Sequence, residues 1–233
     1  MGQVSDLVVL TGGGAVRRDK RIRWLSLVLA GLLFLAGCVG TGPGGKDPQV
    51  QSFGGLVCME YSRYSGPFPE DGSGRNVENV AAMRVHNSSD KFLDYAVIRA
   101  WVGSQQGTFR VTGLPPGGTV WVLEQEGLTL TPEERFVATD CEDYFFREDA
   151  VYSSDKLSVE TEGNSLTVTN RSDVTLKNVC TYYKTVHGDG NYFGGISYLL
   201  EFGELAPGQT VTRQSSHFGP DSRIVRLSFQ ESG

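Results

Sequence analysis

The chain has 233 residues, a formal charge of −6, and 39% hydrophobic and 10% aromatic residues. That length suits one large domain or two small ones. An acidic balance with few basic clusters argues against nucleic acid and against anionic membrane surfaces as partners.

Residues 1–16 precede a basic cluster. Within them Asp6-Leu-Val-Val-Leu-Thr-Gly-Gly-Gly14 has the outline of a strand and a glycine-rich phosphate loop. No helix follows to complete that motif, and a start site placed too early explains it more simply. Arg17, Arg18, Lys20, Arg21 and Arg23 lead into an apolar run, Trp24 to Ala36, which ends at Gly37-Cys38. Basic flank, short apolar core and small residues at the end are the marks of a secretory signal peptide. The run is shorter than the roughly 20 residues that a bilayer crossing needs.

Leu35-Ala36-Gly37-Cys38 resembles the lipobox of bacterial lipoproteins. The resemblance implies that residues 1–37 are removed, that the Cys38 thiol carries a lipid, and that the chain sits on the extracytoplasmic face of the membrane. Membrane lipid is then its first partner, since each buried methylene contributes about 0.8 kcal/mol to anchoring. Five basic and two acidic residues lie before Cys38, so their removal takes the charge from −6 to −9. Residues 38–51 are rich in Gly and Pro with no apolar period and read as a flexible tether, whose root-mean-square reach is about 20 Å.

From Phe53 onward, runs rich in Val, Ile, Thr, Tyr and Phe stop at Gly, Pro, Asn or Asp clusters, as strands do. Strands are predicted at 56–61, 80–86, 92–102, 108–112 and 119–124. A second set is predicted at 156–161, 165–169, 175–186, 195–202, 210–215 and 223–229. Only Thr131-Pro-Glu-Glu134 offers a helix start, one turn at most.

The chain repeats itself. Asn87-Ser-Ser-Asp-Lys-Phe-Leu93 and Asn170-Arg-Ser-Asp-Val-Thr-Leu176 share Asn-x-Ser-Asp-x-x-Leu. Leu114-Pro-Pro-Gly-Gly-Thr-Val120 and Leu205-Ala-Pro-Gly-Gln-Thr-Val211 share Leu-x-Pro-Gly-x-Thr-Val. Two matches in the same order mark a tandem duplication, and such self-similarity sets architecture. The second copy carries eight more residues between the matched leucines, most simply within His187–Gly195. Asn-x-Ser-Asp reads as a bend closed by its own side chains, and Pro-Gly as a turn that opens a return strand. Ala96, Ile98 and Ala100 share one strand face, matched by Val179, Thr181 and Tyr183. The fold class expected is all-β: two tandem immunoglobulin-like β-sandwich domains, 52–150 and 151–233, after signal peptide and tether.

At Asn170-x-Ser-Asp, Leu176-Lys-Asn-Val179 and Leu205-x-Pro-Gly the second copy resembles the FxLYD-type and related immunoglobulin-like domains of bacterial envelope proteins. Thr181-Tyr182-Tyr183-Lys184 stands where the namesake string would be. Gly66-Pro-Phe-Pro-Glu-Asp-Gly72, Val122-Leu-Glu124 and Gly194-Gly-Ile-Ser-Tyr198 resemble uncharacterised lipoproteins of anaerobic Gram-positive bacteria. These likenesses imply location and shape, not an activity.

Chemistry is sparse. His86, His187 and His217 have no metal-ligand spacing, and no Gly-x-Ser-x-Gly elbow exists. Cys180 with His187 or His217 could pair as nucleophile and base, but a mid-strand cysteine reads as buried and inert. No catalytic set, metal or cofactor is expected. Asp140-Cys-Glu-Asp143 and Glu70-Asp-Gly-Ser73 read as solvated acidic segments rather than calcium loops. Cys58 and Cys141 flank the first copy and are the disulfide candidates. Trp101 and Arg99 fall on the outward face of their strand, where packing under a loop is weighed above stacking on a sugar. The insertion is expected to project from the end of the sandwich, with Tyr182, Tyr183, Tyr192 and Phe193 as binding candidates and core capping as the plainer role for the last two. The function expected is a membrane-anchored, non-enzymatic binding, adhesion or scaffold module with a protein or cell-wall glycan partner; the alternative is a small-ligand or carbohydrate-binding receptor.

Overall fold

A computed structural model describes residues 50–134, 136–148 and 154–232, with the backbone alone at 136–139. Cys38, the signal segment and nearly all of the tether lie outside the described residues. Thirteen strands and no helix are described. In chain order they are β1 (Gln51–Phe53), β2 (Leu56–Pro67), β3 (Asn76–Asn87), β4 (Phe92–Val102), β5 (Gln105–Leu114), β6 (Thr119–Leu123) and β7 (Phe136–Arg147), followed by β8 (Leu157–Glu162), β9 (Ser165–Asn170), β10 (Leu176–Val186), β11 (Tyr192–Leu205), β12 (Thr210–Gln214) and β13 (Ser222–Glu231).

The strands pair alike in both copies. In the first, β3 lies between β2 and β6, and β4 lies between β5 and β7. In the second, β9 lies between β8 and β12, and β10 lies between β11 and β13. Each copy is thus a three-on-three sandwich with its own core. Ala96, Ile98 and Ala100 face Cys58, Met83, Val85, Val120 and Val122 in the first. Val179 and Tyr183 meet Leu157, Leu166 and Val168 in the second. Burying each Val, Leu or Ile side chain contributes about 1.5–3 kcal/mol, which is what drives the sheets together.

The repeated motifs meet in space and explain each other. Asn87 and Asn170 are fully buried, and a buried amide is costly unless its hydrogen bonds are made. Asn87 donates from Nδ2 to the carbonyls of Lys91 at 2.8 Å and Leu114 at 3.0 Å. Asn170 donates to Val174 at 2.8 Å and Leu205 at 2.9 Å. Their Oδ1 atoms accept the hydroxyls of Ser89 and Ser172, both at 2.7 Å. The partners at Leu114 and Leu205 open the Pro-Gly turns, where Gly117 and Gly208 take φ of 70° and 73°, left-handed values that suit glycine. One asparagine per copy therefore ties the bend to the turn.

Three expectations are corrected. Asp140–Asp143, expected as a solvated acidic segment outside the strands, lies in β7, pairing with β4 from Phe92↔Arg147 to Val102↔Phe136. Glu142 instead takes an ion pair with Arg99 at 2.7 Å. Thr131 and Glu134 do bond each other, Thr131 N–H to the carboxylate at 2.9 Å and Glu134 N–H to the Thr131 carbonyl at 3.3 Å. The chain then enters β7 without forming a helix. Last, β11 begins at Tyr192, not Gly195, so the insertion is partly strand.

Candidate functional site

The extra residues of the second copy build its joint with the first. The loop after β10 holds five residues, 187–191, where the first copy has two, and β11 runs 14 residues against ten for β5. The added start of β11 pairs in parallel with β6, Tyr192 with Val120 and Phe193 with Trp121. One seven-stranded sheet, β1-β2-β3-β6-β11-β10-β13, thereby runs through both copies. The chain from Lys46 to Gly233 is a single compact unit.

Lys184 lies buried in this joint and Glu70 part-buried. Lys184, on β10 of the second copy, has no exposed surface. Its Nζ donates to the carbonyls of Ile196 at 2.6 Å, Thr112 at 3.0 Å and Gly195 at 3.2 Å. Three acceptors need three hydrogens, which an ammonium has and a neutral amine lacks. Glu70, from the loop after β2, accepts the N–H groups of Leu123 at 2.8 Å and Gly195 at 2.9 Å. Burial pushes the Glu70 carboxyl up against the pull of these backbone donors and of Lys184. Burial likewise drives Lys184 down to about 7, with the Glu70 charge opposing the fall. Because Lys184 reaches Thr112 on β5 and Glu70 reaches Gly195 on β11, the pair ties one copy to the other.

Gly195 makes the approach feasible: a Cβ there would overlap the Arg110 carbonyl oxygen of β5. Around it, Thr112 donates its hydroxyl to the Gly195 carbonyl at 2.9 Å and receives one from Ser197 at its own carbonyl at 3.0 Å. Farther along, Arg226 of β13 bonds Asp94 of β4 at 2.8 Å, with its guanidinium 4.4 Å over the Tyr182 ring.

Comparison of the chain with protein-family models and with curated proteins finds no match. The site is therefore read from its own residues.

The four aromatic candidates stand in four different surroundings. Tyr183 is in the second core, its hydroxyl 2.6 Å from Ser215 Oγ. Tyr182 lies under Arg226, and Tyr192 packs against the first core. Phe193 lines a pocket with Tyr64, Trp121, Ala82, Leu123 and His187. Its ring is 5.0 Å from Tyr64, and Trp121 is fixed by donating Nε1–H to Asp189 at 3.0 Å. Burial opposes ionisation of Asp189, yet hydrogen bonds from Asn191 and Trp121 hold its carboxyl at about 2. The pocket, about 100 Å³ and open to solvent, has room for a small apolar group.

Among the described residues, the cysteines and histidines form no cluster of metal-ligating groups. Cys58, Cys141 and Cys180 are free thiols. Cys58 and Cys141 share the first core, and burial with the Cys141 charge pushes Cys58 up to about 12. Burial and then the Glu201 charge raise Cys180, which disfavours the thiolate a nucleophile needs. His86 bonds Thr119 at 3.1 Å, and His217 stacks on Tyr198 at 4.8 Å. Lys184 escaped sequence reasoning because a lone lysine inside a tyrosine-rich strand reads as solvated, and Glu70, expected in a solvated acidic segment, is instead part-buried on the N–H groups of Leu123 and Gly195. The alternation of the inward Thr181 and Tyr183 sets Lys184 on the other face of the strand, so the local pattern gave no sign of its burial.

Proposed function

We propose that this chain is a lipid-anchored, extracytoplasmic binding module without enzymatic activity. Its two sandwiches act as one body, so that a surface built on either holds a fixed attitude to the other. The observation that carries this reading is the use of the insertion: its residues extend β11 onto β6 and close over Lys184 and Glu70. A duplicated sandwich with a stiffened joint suits presentation of a binding surface close to the membrane. The Leu35-Ala36-Gly37-Cys38 string supports the anchor, and a tether with a reach of about 20 Å would keep the module near the bilayer.

Fractionation of cells that express the full chain tests the anchor. The parent is expected in the membrane fraction and Cys38→Ser outside it. A Cys38→Ser protein that stays with the membrane contradicts the reading.

The second reading, a carbohydrate-binding receptor, is favoured by one feature: exposed rings on the outer face of the β5-β4-β7 sheet. Trp101 is 49% exposed there, so it does not pack under a loop.

A further inference from the structure

From Tyr95 onward the side chains of β4 alternate. Ala96, Ile98 and Ala100 are fully buried, whereas Tyr95, Val97, Arg99 and Trp101 face outward. Tyr95 is 38% exposed, and Phe145, its cross-strand partner on β7, 47%. Their rings stack, centroids 6.3 Å apart at 19°. On the other flank, β5 sets Thr112, Arg110, Thr108 and Gln106 opposite Tyr95, Val97, Arg99 and Trp101. The second copy covers only the start of this face, where Arg226 reaches Asp94 and stands 5.9 Å over Phe92.

The fold does not need these rings, and the duplication supplies the comparison. Two residues after its matching leucine the second copy has Asn178, bonded to Gln230 at 3.1 Å, where the first has Tyr95 on Phe145. Eight residues after that leucine it has Lys184, buried in the joint, in place of Trp101. The same sandwich thus forms with polar side chains at positions where the first copy exposes aromatic ones.

Charge narrows the occupant. Arg99 is paired with Glu142 at 2.7 Å, and Asp143 accepts the Tyr95 hydroxyl at 3.1 Å. Beside that ion pair Arg110, Asp140 and Asp143 add one positive and two negative charges, so neither sign dominates the face. What they leave is rings with hydrogen-bonding Gln106, Thr108 and Arg110 alongside, in a row. Tyr95 and Trp101 are six residues apart on one strand, about 20 Å at the usual rise. A complementary ligand is uncharged, extended, flat and apolar on its ring faces, and hydroxylated at its edges.

We propose that this face binds a neutral β-1,4-linked polysaccharide, with sugar rings laid on Trp101 and on the Tyr95–Phe145 pair and hydroxyls bonded to Gln106, Thr108 and Arg110. Rigid rings give contact area at low entropic cost, and the polar row fixes the chain's direction. This rests on the receptor reading above and names its ligand class.

Retention of the detergent-solubilised full chain on insoluble chitin and on cellulose tests it. The parent is expected to be held by at least one polymer, with at least tenfold weaker retention for Trp101→Ala and for Tyr95→Ala, and near-parent retention for Trp101→Phe. Both alanine variants replace exposed side chains and are checked by their melting temperature. In the parent, soluble chito- or cello-oligosaccharide should also shift the tryptophan fluorescence, a signal lost in Trp101→Phe. No retention of the parent on either polymer overturns the proposal, as does equal retention of parent and Trp101→Ala. Membrane fractionation of the same preparations separates the two ideas: a parent found in the membrane but not held by glycan refutes the ligand and leaves the anchored module standing.

Discussion

Asn87 donates to the Leu114 carbonyl at 3.0 Å, and 83 positions later Asn170 repeats the bond to Leu205 at 2.9 Å. Removing either amide strands buried carbonyls, a loss of about 1–3 kcal/mol. Asn87→Ala and Asn170→Ala are each expected to lower the unfolding free energy by that amount, measured by urea denaturation. Asn→Asp should do no better, because a carboxylate cannot donate. A change below about 0.5 kcal/mol in both alanine variants would show that the motif is not what holds bend to turn.

The Lys184–Glu70 pair should give the stability a pH signature. Lys184 titrates near 7 in the folded chain against an ordinary 10.5, so the unfolded chain binds that proton more tightly between those values. Stability tied to it is full above 10.5 and is lost as pH falls toward 7. Glu70 works the other way. Its carboxyl is raised from 4.5, so its contribution is full below 4.5 and is lost as pH rises. Relative to Lys184→Met/Glu70→Gln, the parent is expected to be least stable near neutrality and to gain from pH 7 to 10. Lys184→Met alone, which leaves the carbonyls of Thr112, Gly195 and Ile196 without their donor, should cost about 1–3 kcal/mol at neutral pH. A parent-minus-double-variant difference that is flat from pH 7 to 10 would contradict the burial of this amine.

Thiol chemistry should follow burial. Cys58 is pushed up to about 12 and Cys141 to about 11, each chiefly by burial. Alkylation of the folded chain at neutral pH should therefore reach Cys58 last, as followed by mass spectrometry. Cys58 on β2 and Cys141 on β7 stand on opposite sheets of the first core. We expect an oxidant to join them in preference to either with Cys180, and a peptide map showing a Cys180 linkage would refute that pairing.

Thr181 carries a cost that a substitution can remove. Its hydroxyl is buried with no hydrogen-bond partner. Thr181→Val keeps the shape and drops the orphaned group, and should stabilise by about 1–2 kcal/mol in thermal or urea melts. A loss of stability would mean that the hydroxyl is satisfied.

Local pattern made the sandwiches legible. The alternation of Ala96, Ile98 and Ala100 with Tyr95, Val97 and Arg99 reads as period two in the sequence and holds in space, and β4 spans the residues predicted for it. The Asn and Pro-Gly motifs announce their turns because side-chain chemistry and positive φ are local demands. The joint was not legible, because its partners are distant. Nothing near Glu70 says that the N–H of Gly195, 125 positions away, will meet it, and nothing near Gly195 says that the Arg110 carbonyl will press against it. β7 was missed for a related reason. Asp140, Glu142 and Asp143 look solvated, and only pairing with β4 and Arg99 reveals a strand.

The unity of the two copies is tested most directly by calorimetry of the full chain and of Gly195→Ala, whose added Cβ would collide with the Arg110 carbonyl and force β11 off β5. One cooperative transition is expected for the parent, and two for Gly195→Ala as each sandwich melts on its own core. Two independent transitions in the parent, or an unchanged single one in Gly195→Ala, would contradict a chain locked into one body at that joint.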